Sequence, residues 1–375
     1  MKIPLIVLKG LVLSAVVACA SCGGRPSQGV LIPVATSAEG AVRVPILVAT
    51  TRQRSTSDPG EMFNGERAVA TSFAAVTVSI PPDAARKVGD VQWPATPPGD
   101  PRTDFVTVSA DFIEKDAFAA SIAALAKTTG RTKVLVFIHG FNNRFDDAVY
   151  RFAQIVHDSK VPVIPVLFTW PSRGEIRLRT YNYDRESANY SRDALEALLA
   201  TLSSYSEITE VNVLAHSMGN WVALEALRGR YMRSAQTPAA RRADKIKNVL
   251  LVAPDVDVDV FRTQIERMGP ARPRIGLIVS QDDRALGLSS LISDGVPRLG
   301  EINPNLEPYR SELERQRILV FDLTSMAKSG DDAHDRAFTD VTSVMGMITQ
   351  RLSAGQTLGD RQAAHPLDVA NTLLK

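Results

Sequence analysis

Short runs of apolar residues recur through the carboxyl-terminal part of the chain, without the polar alternation of a half-exposed strand. Such runs are typical of parallel strands buried on both faces of a sheet. Between these runs lie amphipathic stretches with apolar residues at helical spacing, which include Phe145–Asp158 and Asp184–Leu202. The alternation predicts a mostly parallel, doubly wound sheet with helices on both faces. The predicted strands are Val134–His139, Val163–Trp170, Val211–His216, Val249–Pro254, Ile275–Ser280 and Ile318–Leu323.

The region before this core has a different pattern. Val44–Thr50 and Phe73–Ile80 are rich in Val, Ile, Ala and Thr and predict strands, whereas Ser55–Gly65 and the proline cluster Pro94–Pro101 predict loops. We expect residues 44–132 to form an N-terminal β elaboration that joins the edge of the main sheet. The core is then expected over residues 133–350, followed by a polar tail over 351–375.

The amino terminus has the pattern of an export signal. Lys2 and Lys9 precede the apolar run Leu11–Ala18, and small residues follow. Val16–Cys19 (V-V-A-C) resembles a bacterial lipobox, so we predict a signal peptide over residues 1–18 and lipid on Cys19. The product would be a periplasmic or outer-membrane-anchored lipoprotein with a tether over residues 19–43. Plain cleavage near Ala18 or Ala20, which would give a secreted protein, is the alternative.

Composition narrows the functional class. The 375 residues are 45% hydrophobic and 22% charged, with a formal net charge of +2, which gives no signal for nucleic-acid binding. Arg177, Arg179 and Arg185 are interpreted as solvated positions. The two cysteines, Cys19 and Cys22, lie near the amino terminus, so the body has no disulfide and no thiolate nucleophile. We expect no cofactor and no metal.

The strongest chemical signal is V-N-V-L-A-H-S-M-G-N over Val211–Asn220. A predicted buried strand ends at His216, Ser217 follows, and a helix begins. This is a nucleophile elbow in which alanine replaces the first glycine, and Ala215 and Gly219 leave room for the sharp turn. The pattern predicts that Ser217 is a nucleophile. A serine that only caps the helix is the structural alternative.

A second motif, F-I-H-G-F-N-N over Phe137–Asn143, lies between the first core strand and a helix. In hydrolases with this elbow, the corresponding loop supplies an oxyanion donor. The expected donors are the backbone amides of Phe141 and Met218. His139 is expected to orient this loop.

The catalytic base would be one of the histidines that follow the nucleophile, because the chain order in this fold is Ser, acid, His. That order leaves His334 and His365. We favour His334, because it follows the predicted last strand, whereas His365 lies in the polar tail.

The acid is expected after the strand Ile275–Ser280. Asp283 is favoured, Asp282 is its close rival, and Asp255, one strand earlier, is the third candidate. A buried carboxylate at this place would orient the histidine and stabilise its charged form. The acids around Asp255 lack the glycine and the terminal glutamate of a calcium-binding loop.

Several motifs in order resemble a family of poorly characterised bacterial α/β-hydrolases that are often exported or lipid-anchored. The resemblance covers about residues 44–338. It implies the α/β-hydrolase fold and an esterase- or lipase-like activity, with Ser217, Asp283 and His334 as the triad. The motifs are F-I-H-G-F-N-N, F-T-W-P-S-R-G, Y-N-Y-D-R-E-S-A, L-A-H-S-M-G-N, A-P-D-V-D and S-Q-D-D-R-A-L.

The sequence therefore predicts a serine hydrolase that cleaves a small-molecule or lipid ester through an acyl-enzyme. Acyl transfer by the same triad and a non-catalytic envelope binding protein are the alternatives. Trp170–Gly174 and Tyr181–Asp184 follow a strand end, so they line a pocket or pack the loops. Acyl length and oligomeric state stay open.

Overall fold

The computed structural model describes residues 25–324, apart from 57, 59, 235–243 and 293–294. The predicted signal peptide with Cys19, the candidate bases His334 and His365, and the predicted tail lie outside the described residues. The strands are β1 (Val42–Arg54), β2 (Phe63–Ile80), β3 (Val106–Ile113), β4 (Lys133–Ile138), β5 (Ile164–Thr169), β6 (Glu210–His216), β7 (Ile246–Val252), β8 (Arg274–Val279) and β9 (Leu319–Asp322). The helices are α1 (Lys115–Thr129), α2 (Phe145–Ser159), α3 (Leu178–Ser204), α4 (Gly219–Ser234), α5 (Val258–Met268), α6 (Arg284–Ile292) and α7 (Tyr309–Arg315).

The described strands form one sheet in the order β3-β2-β1-β5-β4-β6-β7-β8-β9. All neighbouring strands from β1 to β9 in this order pair in parallel, while β2 runs antiparallel to both of its neighbours. Each of the six apolar runs predicted as core strands is a strand. The mostly parallel, doubly wound sheet is therefore confirmed, with an N-terminal β elaboration at one edge.

Differences from the predicted elements lie mainly at this edge. The predicted loop Ser55–Gly65 is shorter, because β2 begins at Phe63. Strand β3 and helix α1 were not expected from the apolar pattern. Strand β3 lies at the sheet edge and pairs antiparallel, so it alternates apolar residues with Thr107, Ser109 and Asp111 and lacks the uninterrupted apolar run of the buried parallel strands.

Helices cover both faces of the sheet. Alternate residues of the central strand β4 point into two cores, so that Val134, Val136 and Ile138 face one cluster and Leu135 and Phe137 face the other. Helices α1, α3, α4, α5 and α7 contribute to the first cluster. Helices α2 and α6 contribute to the second.

Part of the segment predicted as a tether packs against this body. Val30 and Leu31 are buried, and the backbone N–H of Val34 donates to the carbonyl oxygen of Thr107 over 2.8 Å. The Tyr150 hydroxyl donates to the Val30 carbonyl oxygen over 2.9 Å. The two buried residues and these hydrogen bonds thus hold the amino-terminal segment beside β3 and α2.

The order of the strands reverses between β4 and β6. Chain connections lead from β4 through α2 to β5 on one side, and β6 lies on the other side of β4. At such a reversal, the loops after the two strands diverge and leave a crevice at the carboxyl ends. The loop with H-G-F-N-N follows β4 and Ser217 follows β6, so the two chemical motifs flank this crevice.

Candidate active site

Ser217 is held on a strained turn between β6 and α4. Its φ is 50°, in the left-handed region that few residues other than glycine adopt. The turn is fixed by the Ser217 N–H, which donates to the Val252 carbonyl oxygen over 2.9 Å, and by Asn220, whose side-chain amide donates to the Ser217 carbonyl oxygen over 2.8 Å. Ser217 is 6% exposed. The backbone therefore has the geometry of a nucleophile elbow rather than that of an ordinary helix cap.

The small residues beside Ser217 allow two loops to touch. A Cβ on Gly140 would lie 2.8 Å from Cβ of Ser217 and 3.0 Å from Nδ1 of His216. A Cβ on Gly219 would collide with the carbonyl oxygen of His139 and lie 2.8 Å from that of Ile138. The loop after β4 thus lies directly against the Ser217 turn. Phe141 and Met218, whose amides are the predicted oxyanion donors, are the residues that follow Gly140 and Ser217 in these two loops.

We expect Gly219→Ala to destabilise the protein by about 2–3 kcal/mol, because the added methyl group meets backbone atoms of Ile138 and His139 that cannot rotate away. Thermal or denaturant unfolding measures this loss. Gly287→Ala is the matched control, since its Cβ would meet only the Glu301 side chain at 3.9 Å, and alanine favours a helix over glycine. Equal stability of Gly219→Ala and wild type would contradict the close contact between the loops.

His139 is a structural residue of the H-G-F-N-N loop. Its Nδ1 donates to the Gly140 carbonyl oxygen over 2.9 Å, and its Nε2 accepts the Trp170 backbone N–H over 3.2 Å. The ring stacks on Trp170 with a centroid distance of 5.0 Å, and the Trp170 indole N–H donates to the His139 carbonyl oxygen over 2.8 Å. Burial and the nearby Arg52 guanidinium hold the pKa of His139 well below its usual range. The ring is therefore neutral and fixes the loop, as expected.

Arg52, from the end of β1, joins the loops around the site. It is fully buried, and its Nε donates to the Thr169 hydroxyl oxygen over 2.8 Å. Its Nη atoms donate to the carbonyl oxygens of Ser172, over 2.8 Å, and Asn143, over 2.7 Å. Burial lowers the pKa of Arg52 to about 10, so the guanidinium stays charged at neutral pH. One side chain thus connects the loop after β4 with the loop after β5.

Asp184, near the start of α3, binds the loop after β5. Its carboxylate accepts the Ser172 hydroxyl over 2.5 Å and the Arg173 backbone N–H over 3.1 Å. Burial raises the pKa of Asp184 to about 6. Trp170, Ser172 and Asp184 are thus buried packing residues of the W-P-S and Y-D motifs. Tyr181 instead lies beside Phe141, with ring centroids 5.4 Å apart.

The two adjacent acids after β8 have different environments. Asp283 is 3% exposed, and its Oδ1 accepts the backbone N–H groups of Ala285 and Leu286 over 3.0 and 3.1 Å at the start of α6. Asp282 is exposed and accepts a hydrogen bond from the Ser280 hydroxyl. Asp283 is therefore the buried carboxylate at the position where the sequence predicts the acid.

Asp255, the third candidate acid, lies close to the Ser217 turn but has partners of its own. Its backbone N–H donates to the Ser217 carbonyl oxygen over 3.4 Å. Its carboxylate accepts the Ser289 hydroxyl over 2.6 Å and the Tyr181 hydroxyl over 3.1 Å, and it pairs with Arg298 Nε at 3.4 Å. These three partners take up most of its accepting capacity.

The neighbouring acids have a structural role. Asp257 caps α5, where its Oδ1 accepts the backbone N–H groups of Asp259 and Val260 over 2.8 and 3.1 Å. Within the described ranges, no cluster of three His, Cys, Asp or Glu residues has an arrangement that could hold a metal ion.

The comparison with protein families identifies the chain's relatives. Residues 114–351 match the model of a family described as "Alpha/beta hydrolase of unknown function (DUF900)". The chain belongs to this family. The match includes the loop after β4, the Ser217 turn, all three candidate acids and His334. The chain is therefore an α/β-hydrolase, as the resemblance of its motifs implied.

The solved structures that match this α/β-hydrolase are distant from it. An inhibited esterase B from Lactobacillus rhamnosis has 10% identity and a TM-score of 0.40, with 93% of this chain and 96% of that chain covered. A predicted cell surface hydrolase from Lactobacillus plantarum WCFS1 has 14% identity and a TM-score of 0.35, with 61% and 94% covered. A lipase-esterase related protein from Clostridium acetobutylicum ATCC 824 has 9% identity and a TM-score of 0.30, with 59% and 95% covered. No curated protein matches. The family match alone carries the assignment.

Sequence reasoning did not find two residues that organise the site. Arg52 follows a predicted strand without any motif of its own, and its role depends on partners far along the chain. Tyr181 was noted only as part of a segment after a strand end, while the structure places it between Phe141 and Asp255. Neither role has a local sequence signal that could have found it.

Proposed function

We propose that this α/β-hydrolase is a serine esterase that cleaves carboxylic esters through Ser217, Asp283 and His334. The observation that carries the proposal is the left-handed backbone of Ser217 between β6 and α4, in contact with the glycine of the loop after β4. A non-glycine residue persists in such a conformation only where the surrounding structure enforces it, and such positions cluster at active sites.

In the proposed reaction, Ser217 Oγ attacks the ester carbonyl carbon while His334 takes the hydroxyl proton. The carbonyl oxygen becomes an oxyanion, which accepts hydrogen bonds from the backbone amides of Phe141 and Met218. The amide of Met218 lies at the start of α4, where the helix dipole also favours negative charge. Collapse of this intermediate breaks the ester bond, and His334 gives its proton to the leaving alcohol.

Water then attacks the acyl-enzyme, again with His334 as the base, and releases the acid and free Ser217. Asp283 is proposed to orient His334 and to stabilise its charged form. Its burial supports this role, because a carboxylate in a low-dielectric site interacts strongly with a neighbouring imidazolium. Asp255 is less suited to the role, because Ser289, Tyr181 and Arg298 already engage its carboxylate.

A fluorophosphonate probe tests this proposal, with the labelled peptide identified by mass spectrometry. We expect label on Ser217 in wild type and a rate of labelling lower by on the order of 10³–10⁴ in Asp283→Asn and His334→Ala. Asparagine can still cap α6 at position 283, so this variant should fold. A wild-type protein that folds but never labels would refute the serine mechanism.

Matched variants decide the roles of the acids and bases. Asp282→Asn and His365→Ala should label at the wild-type rate, since we assign neither residue to the triad. Asp255→Asn should retain most of its labelling rate. A large loss in Asp255→Asn together with a normal rate in Asp283→Asn would move the acid one strand earlier and contradict the proposed triad.

We also propose that the protein is exported and carries lipid on Cys19, on the basis of the lysines and the apolar run before V-V-A-C. None of the helices in the described part of the chain is long and apolar enough to cross a bilayer. More than one acyl chain on the amino-terminal cysteine would suffice for stable attachment.

A further inference from the structure

The loop that follows β5 exposes apolar side chains between arginines. Ile176 is 41% exposed and Leu178 is 53% exposed. Arg173, Arg177 and Arg179 are also exposed, and they alternate with the two aliphatic residues over R-G-E-I-R-L-R. Single exposed aliphatic residues are common on protein surfaces, but here two of them lie two positions apart among exposed arginines. We call residues 173–179 the basic-apolar loop; its last two residues, Leu178 and Arg179, begin helix α3.

The basic-apolar loop has a net positive charge, since Glu175 is its one acid beside three arginines. Glu175 lies 3.5 Å from Arg177, and Arg173 pairs with Glu66 at 2.8 Å and stacks over the Tyr183 ring at 3.8 Å. The side chain of Arg177 is nevertheless 76% exposed. Arg177 and Arg179 therefore present positive charge to solvent on either side of Leu178.

This loop lies at the same edge of the sheet as Ser217. It follows the carboxyl end of β5, which pairs in parallel with β4, and β4 pairs in parallel with β6. Arg25 links the loop to the oxyanion motif. Its guanidinium donates to the carbonyl oxygen of Gly174 over 3.0 Å and to that of Asn142 over 3.1 Å.

Arg25 also lies only six residues after Cys19, the predicted lipidation position. The six-residue step from Cys19 to Arg25 spans at most about 20 Å even when fully extended. A lipid on Cys19 would therefore keep Arg25, and the loop bonded to it, within that distance of the bilayer surface.

We propose that the basic-apolar loop docks on an anionic lipid bilayer and turns the Ser217 edge of the sheet toward the membrane. Ile176 and Leu178 would enter the headgroup region, and Arg177 and Arg179 would lie among lipid phosphates. The inference rests on the proposed anchoring and esterase function. It also specifies the substrate class of the proposed esterase, namely esters that reside in the membrane.

The chemistry of the loop favours a lipid surface over nucleic acid. A phosphate backbone would attract the arginines, but it gives no apolar environment to Ile176 and Leu178, which are aliphatic and cannot stack on bases. A bilayer interface accommodates both groups at once. The alternation of the two residue types along one exposed loop is therefore the feature that identifies the partner.

Co-sedimentation with vesicles tests the docking. Residues 20–375 are purified without the predicted signal peptide and Cys19, so that neither lipid nor the basic, apolar leader contributes, and are mixed with phosphatidylcholine vesicles with or without phosphatidylglycerol. We expect binding that requires phosphatidylglycerol. Binding should fall about tenfold in Ile176→Ser/Leu178→Ser and about tenfold in Arg177→Gln/Arg179→Gln at low salt. Val69→Ser/Leu306→Ser is the matched control, because both residues are exposed aliphatics elsewhere, and it should bind like wild type.

The loop variants should hydrolyse a water-soluble ester at the wild-type rate, because none of these four residues belongs to the proposed triad or oxyanion site. Three results would overturn the docking proposal: no binding to vesicles that contain phosphatidylglycerol, equal binding by the Ile176/Leu178 variant, or tighter binding to duplex DNA than to vesicles. Ser217→Ala should bind vesicles like wild type. Vesicle binding therefore tests the docking, and hydrolysis of the soluble ester tests the esterase mechanism, so failure of one is distinguishable from failure of the other. The mass of the amino-terminal peptide from cells reports lipid on Cys19 independently.

Discussion

Replacing Ser217 by alanine is expected to lower kcat/KM for ester hydrolysis by on the order of 10⁴–10⁶, because the substitution removes the proposed nucleophile. Steady-state kinetics on a water-soluble ester measure the loss. Ser203→Ala is the matched control, since Ser203 is a buried serine in α3 whose hydroxyl donates to the Leu199 carbonyl oxygen, remote from the reaction. Full activity of Ser217→Ala would remove the basis of the mechanism.

Replacing Ser217 by glycine should abolish activity equally but leave a more stable protein than replacing it by alanine. At a φ of 50°, a Cβ atom is strained, and glycine relieves that strain. Glycine also gives the unfolded chain more conformational entropy, which offsets part of this gain. We therefore expect the free energy of unfolding of Ser217→Gly to be higher than that of Ser217→Ala by about 1 kcal/mol.

The same pair of substitutions at Ser203 should give the opposite order. Ser203 lies within a helix, where glycine is less stable than alanine by about 1 kcal/mol. Denaturant unfolding of the four variants measures both differences. If glycine is the less stable residue at both positions, the nucleophile turn is not strained in solution. The comparison thus separates a backbone effect from the loss of the hydroxyl.

Replacing Arg52 by lysine should reduce kcat by about 10²-fold, because a small displacement of the loop that carries Phe141 is enough to misplace the proposed oxyanion donor. Lysine keeps the charge, but its single nitrogen cannot reach Thr169, Ser172 and Asn143 together. We also expect a loss of about 3 kcal/mol in stability, since buried acceptors remain without donors.

The control for this prediction is a second buried arginine. Arg86 pairs with Asp158 at 2.5 Å, and both side chains are 1% exposed. Asp158 lies at the carboxyl end of α2, whereas the H-G-F-N-N loop precedes its amino end. Arg86→Lys should therefore lower stability without changing kcat. A stable Arg52→Lys variant with wild-type kcat and KM would contradict a positioning role, and so would an equal fall of kcat in both variants.

Local patterns predicted the parts of this protein that depend on local physics. The six core strands follow from uninterrupted apolar runs, because a strand buried on both faces has no polar position to place in water. The Ser217 turn follows from A-H-S-M-G, because small residues on either side of the serine are what the sharp bend requires. The edge strand β3 has a different local signal, an alternation of apolar and polar residues from Val106 to Phe112, which uninterrupted apolar runs do not include.

The sequence by itself therefore determined the fold class, the strained serine and the short set of acids and histidines among which the triad is sought. Only the tertiary structure decided which loops meet around Ser217 and what holds them. Arg52 is 117 residues from Thr169 and 91 from Asn143, and Arg25 is 149 residues from Gly174. Contacts over such separations form when strands pair in an order that differs from their order in the chain, and no local pattern of residues encodes that pairing.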